Sequence, residues 1–296
     1  MPETVPCNLC DSSEVVPEPK KARFLNIREP FGVGRCQRCG LTFLNPRPTV
    51  AELGTMYATH PYYRAENAKR GEPRRGFYSS RIERLERWRP ERGTMLVIGC
   101  LEGGYALEAA QRRGWRVLGV EFSKTLAHYA REHLGVDVQV AEAWDLSGLA
   151  GRQFDAIYTH SLEHFTDPRR IVRQSRNLLA KGGFFMLEGA NELYSLKNTV
   201  KQRIVDLAGY KPRALSYAEV DAEFHTYYFD PRTTRALLRS EGFEILELRT
   251  YLPRHPVFLA NPRLRWLQEL FYAIGGMFER GPSIEVIARP VSAPTT

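Results

Sequence analysis

Residues 97–110 read VIGCLEGGYALEAA, and this stretch decides the fold. An apolar run ends on Gly99, a loop of small residues carries Gly103 and Gly104, and a helix-forming segment follows. That is the strand, turn and helix that open a nucleotide-binding unit. In a dinucleotide fingerprint GxGxxG counted from Gly99, the middle glycine falls on Leu101. A pyrophosphate needs bare backbone at that point. Leu101 therefore argues against NAD or FAD and leaves open which cofactor the loop serves.

Working outward, the pattern is regular from Thr94. TMLVIG, WRVLGVE, VDVQV, FDAIYT, FFMLEG, FEILELR and SIEVIA read as strands. Between them lie helical segments. YALEAAQRRG ends at Gly114; KTLAHYAREHL is capped by Ser123 and stopped by Gly135; RRIVRQSRNLLA is introduced by Asp167-Pro168 and ended by Lys181-Gly182-Gly183. Another helix, RTTRALLRSEG, starts at Asp230-Pro231. Strands alternating with helices predict βαβ units: an α/β, Rossmann-like, doubly wound, mostly parallel sheet of seven strands. The expected division is a small zinc-binding module at 1–50, a connector and lid helix at 51–92, and the Rossmann-like domain at 93–296. Helical insertions are expected near 190–225 and 251–282. In the connector, Phe77, Ile82, Leu85 and Trp88 fall near one helical face.

The 296 residues are 43 % hydrophobic and 26 % charged, enough for one large core and a small satellite. No apolar run reaches the roughly 18 residues of a spanning helix, and MPETVPCNLC lacks the layout of a signal peptide. A cytoplasmic protein is expected. The net charge of +8 comes mostly from arginine, concentrated between Lys69 and Arg92. Four glutamates interleave there without an aromatic ladder, which reads as a solvated helix face and argues against nucleic acid as partner. Residues 1–50 hold seven of the nineteen prolines and little apolar material for a core. Cys7, Cys10, Cys36 and Cys39 form two CxxC pairs with 25 residues between them, the spacing of a closed structural zinc site. Cys100 stands apart as a small loop residue.

A parallel sheet binds its ligand at the carboxyl ends of its strands. Glu121 ends the second strand, 22 residues past Gly99, close to the ~20 expected for a carboxylate that holds a ribose diol. A phosphate-free nucleoside cofactor tolerates Leu101, and S-adenosylmethionine is such a molecule.

CNLC…CQRCGLTFLNPRPT, the Gly99 loop with WRVLGVEFS, FDAIYTHSLEHFTDPRRIVRQSRNLLAKGGFFMLEG, and FHTYYFDPRTTRALLRSEGFEILEL together resemble the class I S-adenosylmethionine-dependent methyltransferases. More narrowly, they resemble bacterial members with an N-terminal zinc module. The resemblance implies that Gly99 and Gly103 approach the methionine tail, that Glu121 with Phe122 binds the ribose side, and that Glu142 faces the adenine amino group with Ala143 and Trp144 beside the ring. Tyr62 and Tyr63 match lid tyrosines, with Tyr63 assigned to the cofactor. Two positions depart from the family pattern: Val97 replaces an acidic residue and Leu101 a glycine.

Methyl transfer to a hydroxyl or an acidic carbon needs a base to remove a proton. THSLEH supplies His160, Glu163 and His164; DAEFHTYYF supplies Glu223 and His225. His225, His160 and Glu223 are the expected catalytic residues, with His160 also in the cofactor site. Lys197, Lys201, Arg203, Lys211 and Arg213 suit an anionic acceptor. The expected activity is methylation of a small molecule or glycan, such as a sugar or sugar nucleotide, in a bacterial biosynthetic pathway. The rivals are an RNA or protein methyltransferase and a non-catalytic cofactor-binding partner.

Overall fold

The structure, a computed structural model, describes residues 2–22, 31–59, 69–99, 104–141, 145–191, 193–207, 225–252 and 265–291. The amino-terminal part contains β1 (Val15–Ala22), β2 (Phe31–Cys36) and β3 (Thr42–Leu44), followed by α1 (Val50–Thr59) and α2 (Arg75–Glu86). The alternating region then runs β4 (Thr94–Ile98), α3 (Tyr105–Arg112), β5 (Arg116–Glu121), α4 (Lys124–Leu134), β6 (Val138–Val140), β7 (Phe154–Thr159), α5 (Pro168–Leu178) and β8 (Leu179–Ala190). After α6 (Leu196–Leu207) come β9 (Tyr227–Tyr228), α7 (Pro231–Ser240), β10 (Phe243–Tyr251), α8 (Arg265–Met277) and β11 (Ser283–Pro290).

Among the described residues, seven strands form one sheet in the order β10-β11-β8-β7-β4-β5-β6. The pairs from β8 to β6 are parallel, while β11 and β10 close the other edge antiparallel. The chain leaves β4 toward β5 and β6, then returns to the opposite flank of β4 with β7. In sheets of this kind such a reversal is where a ligand binds, here at the carboxyl ends of β4, β5 and β7. Helices on both faces bury the central strands, so Met95 to Ile98 and Ala156 to Thr159 are enclosed on either side.

Local chemistry sets the helix ends. The Ser123 hydroxyl accepts the Leu126 N–H at 3.3 Å, and Gly135 stops α4 with φ 63°. Asp167 caps α5 by accepting the Arg170 N–H at 2.9 Å, and Asp230 and Thr233 form a capping box on α7. The α5 helix ends at Leu178, earlier than the sequence pattern predicts. Leu179 pairs with Phe154 of β7, so the chain enters the sheet before the Lys181-Gly182-Gly183 turn signal.

The sequence reading of the amino-terminal segment as poor in core is corrected. Phe31, Val33, Leu41, Phe43 and Leu44 are buried in one cluster with Ile98, Ile157 and Phe165. The segment builds a four-stranded sheet, β1-β2-β3-β9, whose last strand comes from residues 227–228. It thus completes its core with distant chain. In α2 the buried residues are Tyr78, Arg81, Ile82, Leu85 and Glu86. Trp88, expected on that face, lies beyond the helix end and is exposed.

Candidate methyl-transfer site

The crevice is shaped first by backbone. Gly99 follows β4 with φ 76° and donates its N–H to the Val120 carbonyl at 2.8 Å. Gly104 precedes α3 with φ 93°, and a Cβ there would come within 2.8 Å of the Ala130 side chain. Only glycine meets both demands. Beside Gly99, on the neighbouring strand, Glu121 is 1 % exposed. Its Oε1 accepts the Ser123 N–H at 2.8 Å, which fixes the carboxylate at the strand end. Phe122 is half-buried and faces Gly54 of α1. A glycine-turned loop and an anchored carboxylate on adjacent strand ends fit a nucleoside with vicinal hydroxyls. Val97, at the position of the family's acidic residue, is a core side chain of β4. Tyr62, Tyr63, Cys100, Leu101, Glu102, Gly103, Glu142, Ala143, Trp144 and Glu223 lie outside the described residues.

The histidines fall into two groups. His160, just past β7, is half-buried with its ring 6.0 Å from Tyr78 and 6.5 Å from Tyr158. His225, just ahead of β9, is buried beside Glu163 and His164. Its Nε2 is 3.9 Å from Glu163 Oε1, and the His164 ring meets it edge-on at 4.7 Å between centroids. The turn that carries Glu163 is pinned by Thr226, whose N–H and hydroxyl donate to the Glu163 carbonyl at 2.8 and 3.0 Å. Sequence proximity groups His160 with His164; the fold groups His164 with His225.

The four expected metal-ligating cysteines converge. Cys7 and Cys39 sulfurs are 3.4 Å apart, and those of Cys10 and Cys36 are 3.5 Å apart. Ligand bonds of about 2.3 Å in a tetrahedron require sulfurs roughly 3.8 Å apart, so the set fits zinc with little adjustment. Burial pushes the Cys7 thiol far above its ordinary range. Burial also acts on Cys36, but amide donors at Cys39 and Arg38 and the Cys10 thiol outweigh it and bring it down to about 7. The first cysteine pair also docks the module. Asn8, between Cys7 and Cys10, accepts the Arg169 N–H at 2.9 Å and donates to Asp167 at 2.8 Å, at the start of α5.

The arginine-rich connector is largely consumed inside the molecule, which the sequence alone does not reveal. Arg81 pairs with Glu188 at 2.7 Å and Glu285 at 3.5 Å; Arg84 and Arg249 each reach Glu285 at 2.6 Å. Arg89 holds Asp155, and Arg92 and Arg113 hold Glu86. Glu188 also accepts the Tyr158 and Tyr251 hydroxyls at 2.6 and 2.7 Å. Burial pushes its carboxyl up to about 7 against the pull of Arg81. Alternation along β8 and β11 placed these acids on the face under α2, but only the tertiary structure supplies their partners. Among the described residues, each arginine of α2 already faces a carboxylate, Arg75 pairing with Glu108 at 2.8 Å.

The mostly parallel seven-stranded sheet with its reversal point is the fold of the class I S-adenosylmethionine-dependent methyltransferases. Residues 71–248 match the family model described as a methyltransferase domain, and the chain belongs to that family. A relative named ubiquinone biosynthesis O-methyltransferase, from Xanthomonas axonopodis pv. citri, is 27 % identical over 57 % of this chain and 67 % of its own length. Its namesake from Xanthomonas campestris pv. campestris strain B100 is 34 % identical, over 33 % of this chain and only 43 % of that relative. In fold, the chain is similar to the putative methyltransferase of Haloferax volcanii solved in complex with the Trm112 methyltransferase activator. The TM-score is 0.51 at 17 % identity, covering 78 % of this chain and 96 % of that one. No helix among the described residues is long and apolar enough to cross a membrane.

Proposed function

We propose that this methyltransferase acts on a small polar acceptor that carries an ionisable hydroxyl or acidic carbon, of the sugar or sugar-nucleotide class. Glu121 holds the ribose of S-adenosylmethionine, with Gly99 and Gly103 beside the methionine tail and Glu142, Ala143 and Trp144 around the adenine. The donor supplies a methyl group already activated as a sulfonium. The protein's tasks are therefore to align the acceptor and to take its proton. His225 is the base in this reading and His160 lines the crevice. The buried His225 group beside the carboxyl ends of the parallel strands is the observation that carries the reading.

The acceptor class draws support from a cleft of about 600 Å³ beside the second cysteine pair, lined by Arg35, Arg38, Arg232, Tyr194 and Asp230. Among the described residues, neither Arg35 nor Arg38 has a carboxylate partner within ion-pair distance, and guanidinium groups suit phosphate. Tyr194 and Asp230 follow β8 and His225 respectively in the chain. The relatives' name, with its small-molecule acceptor, agrees with the coarser part of the proposal. Zinc at the four cysteines is structural, and residues 1–50 and 93–296 act as module and catalytic domain. Cysteines kept as metal-binding thiolates suit a reducing compartment, and cytoplasmic residence belongs to the same reading.

The test is methyl transfer from radiolabelled S-adenosylmethionine to a panel of sugar nucleotides, catechols and tRNA. Label on a sugar nucleotide, abolished by His225→Gln, supports the reading. Label on catechols alone or on tRNA alone overturns the acceptor class.

A further inference from the structure

The Glu163 carboxylate lies where three separately folded pieces of chain meet. It sits on the single turn Leu162–His164 after β7, faces the end of β8, and abuts His225 at the entry to β9. Its Oε1 accepts the Ala190 N–H at 3.1 Å. Room for it exists because residue 189 is glycine, since a Cβ there would stand 3.1 Å from Oε2. The Thr226 bonds clamp the turn to the residue next to His225, so the carboxylate and the imidazole belong to one rigid unit. The same Oε1 is the oxygen 3.9 Å from His225 Nε2, and Glu163 and His225 are both buried.

We infer that Glu163 is a positioning residue for His225: its anchored carboxylate orients the imidazole and stabilises the imidazolium formed when the acceptor's proton arrives. This rests on the assignment of His225 as base. The chemistry is balanced. The acceptor gives its proton to His225 as the new bond to the methyl carbon forms, and the sulfonium sulfur keeps the electron pair of the bond that breaks. A buried carboxylate within about 4–6 Å of a histidine raises its pKa by roughly 1–3 units, because the charged form gains a partner. Among the described residues, His164 also meets the imidazole, and it opposes a second positive charge. One negative charge shared by two rings favours protonation of only one of them. At 3.9 Å the pair is longer than a hydrogen bond, so proton arrival and tightening go together.

The test is a pH titration of the full-length, zinc-loaded protein by long-range proton–nitrogen NMR. The seven histidines are labelled, and the His225 signal is identified by its loss in His225→Gln. Glu163→Gln keeps an oxygen for the Ala190 N–H and removes the charge. It is expected to lower the His225 midpoint by about one unit or more. The acid limb of kcat should move with it, kcat at neutral pH should fall about 10- to 100-fold, and S-adenosylmethionine affinity should stay unchanged. Glu163→Asp, which keeps the charge, should restore most of the midpoint. A midpoint that stays put in a folded Glu163→Gln protein overturns the inference. So does broadening of the His164 and His225 signals by one equivalent of cobalt(II), which would mark the cluster as a cation site. Full activity in His225→Gln sinks the base assignment instead, and the NMR midpoint reports on the pairing whichever way that falls.

Discussion

Replacing Arg81 with methionine isolates the ion network under α2. Methionine keeps most of the apolar stem and removes the guanidinium. Of the two acids Arg81 serves, Glu285 retains Arg84 and Arg249, both at 2.6 Å. Glu188 keeps only the Tyr158 and Tyr251 hydroxyls among its described partners. It is 2 % exposed, so its charge is left in a dry site. Removing one partner of a buried pair costs about 3–5 kcal/mol. In a chain of this size each kcal/mol shifts Tm by roughly 2–4 °C, which predicts a drop of about 6–20 °C. The loss depends on pH with a definite sign. The folded pKa of Glu188 lies above the ordinary carboxylate value, so its ionisation lowers stability as pH rises from 4.5 to about 7. Without Arg81 the folded value moves higher still and the decline continues past pH 7, so the deficit is small near pH 5 and grows toward pH 8. Scanning calorimetry at both pH values measures it, and adding Glu188→Gln should restore most of the lost stability. A deficit under about 1 kcal/mol at pH 8, or no recovery in the double variant, refutes the reasoning.

Two further outcomes follow from the same geometry. Plasma emission analysis of the purified chain should find one zinc per molecule. Stripping it with a chelator, or replacing Cys36 with serine, should lower Tm and expose the module to protease, because zinc sites supply folding energy directly. Buried Glu86 and Glu241 and half-exposed Glu279 all sit below the ordinary carboxylate value, held there by Arg113 and Trp115, by Arg173 and Arg169, and by Arg235 respectively. Their contribution is complete above pH 4.5 and is lost as pH falls through their folded values, so Tm should decline steadily in acid. A Tm independent of pH below 4.5 would contradict these pairings.

The sheet was legible because each strand carries its own punctuation: Gly99 and Glu121 end two strands, Ser123 and Asp167 cap two helices, and Gly135 stops one. The cysteine cluster was legible because CxxC spacing brings sulfurs together in pairs. Other features depend on contacts far apart in sequence. Residues 227–228 complete the module's sheet, which no local pattern signals. Arg81 looked like part of a solvated face because its partners, Glu188 and Glu285, lie more than a hundred residues away. The companionship of His225 with Glu163 and His164, rather than of His160 with His164, depends on Thr226 clamping a turn sixty residues upstream. Leu178 and Leu179 illustrate a different limit, since helix propensity there yields to pairing with Phe154.

In the proposed function the Glu121 carboxylate holds the ribose of S-adenosylmethionine at the end of β5. Isothermal titration of the intact protein with S-adenosylmethionine, beside Glu121→Gln, tests it most directly. A charged hydrogen bond is worth about 1.5–3 kcal/mol, so the variant should bind roughly 10- to 150-fold more weakly while remaining folded. Equal affinity in the two proteins, or no heat from either, would contradict the account.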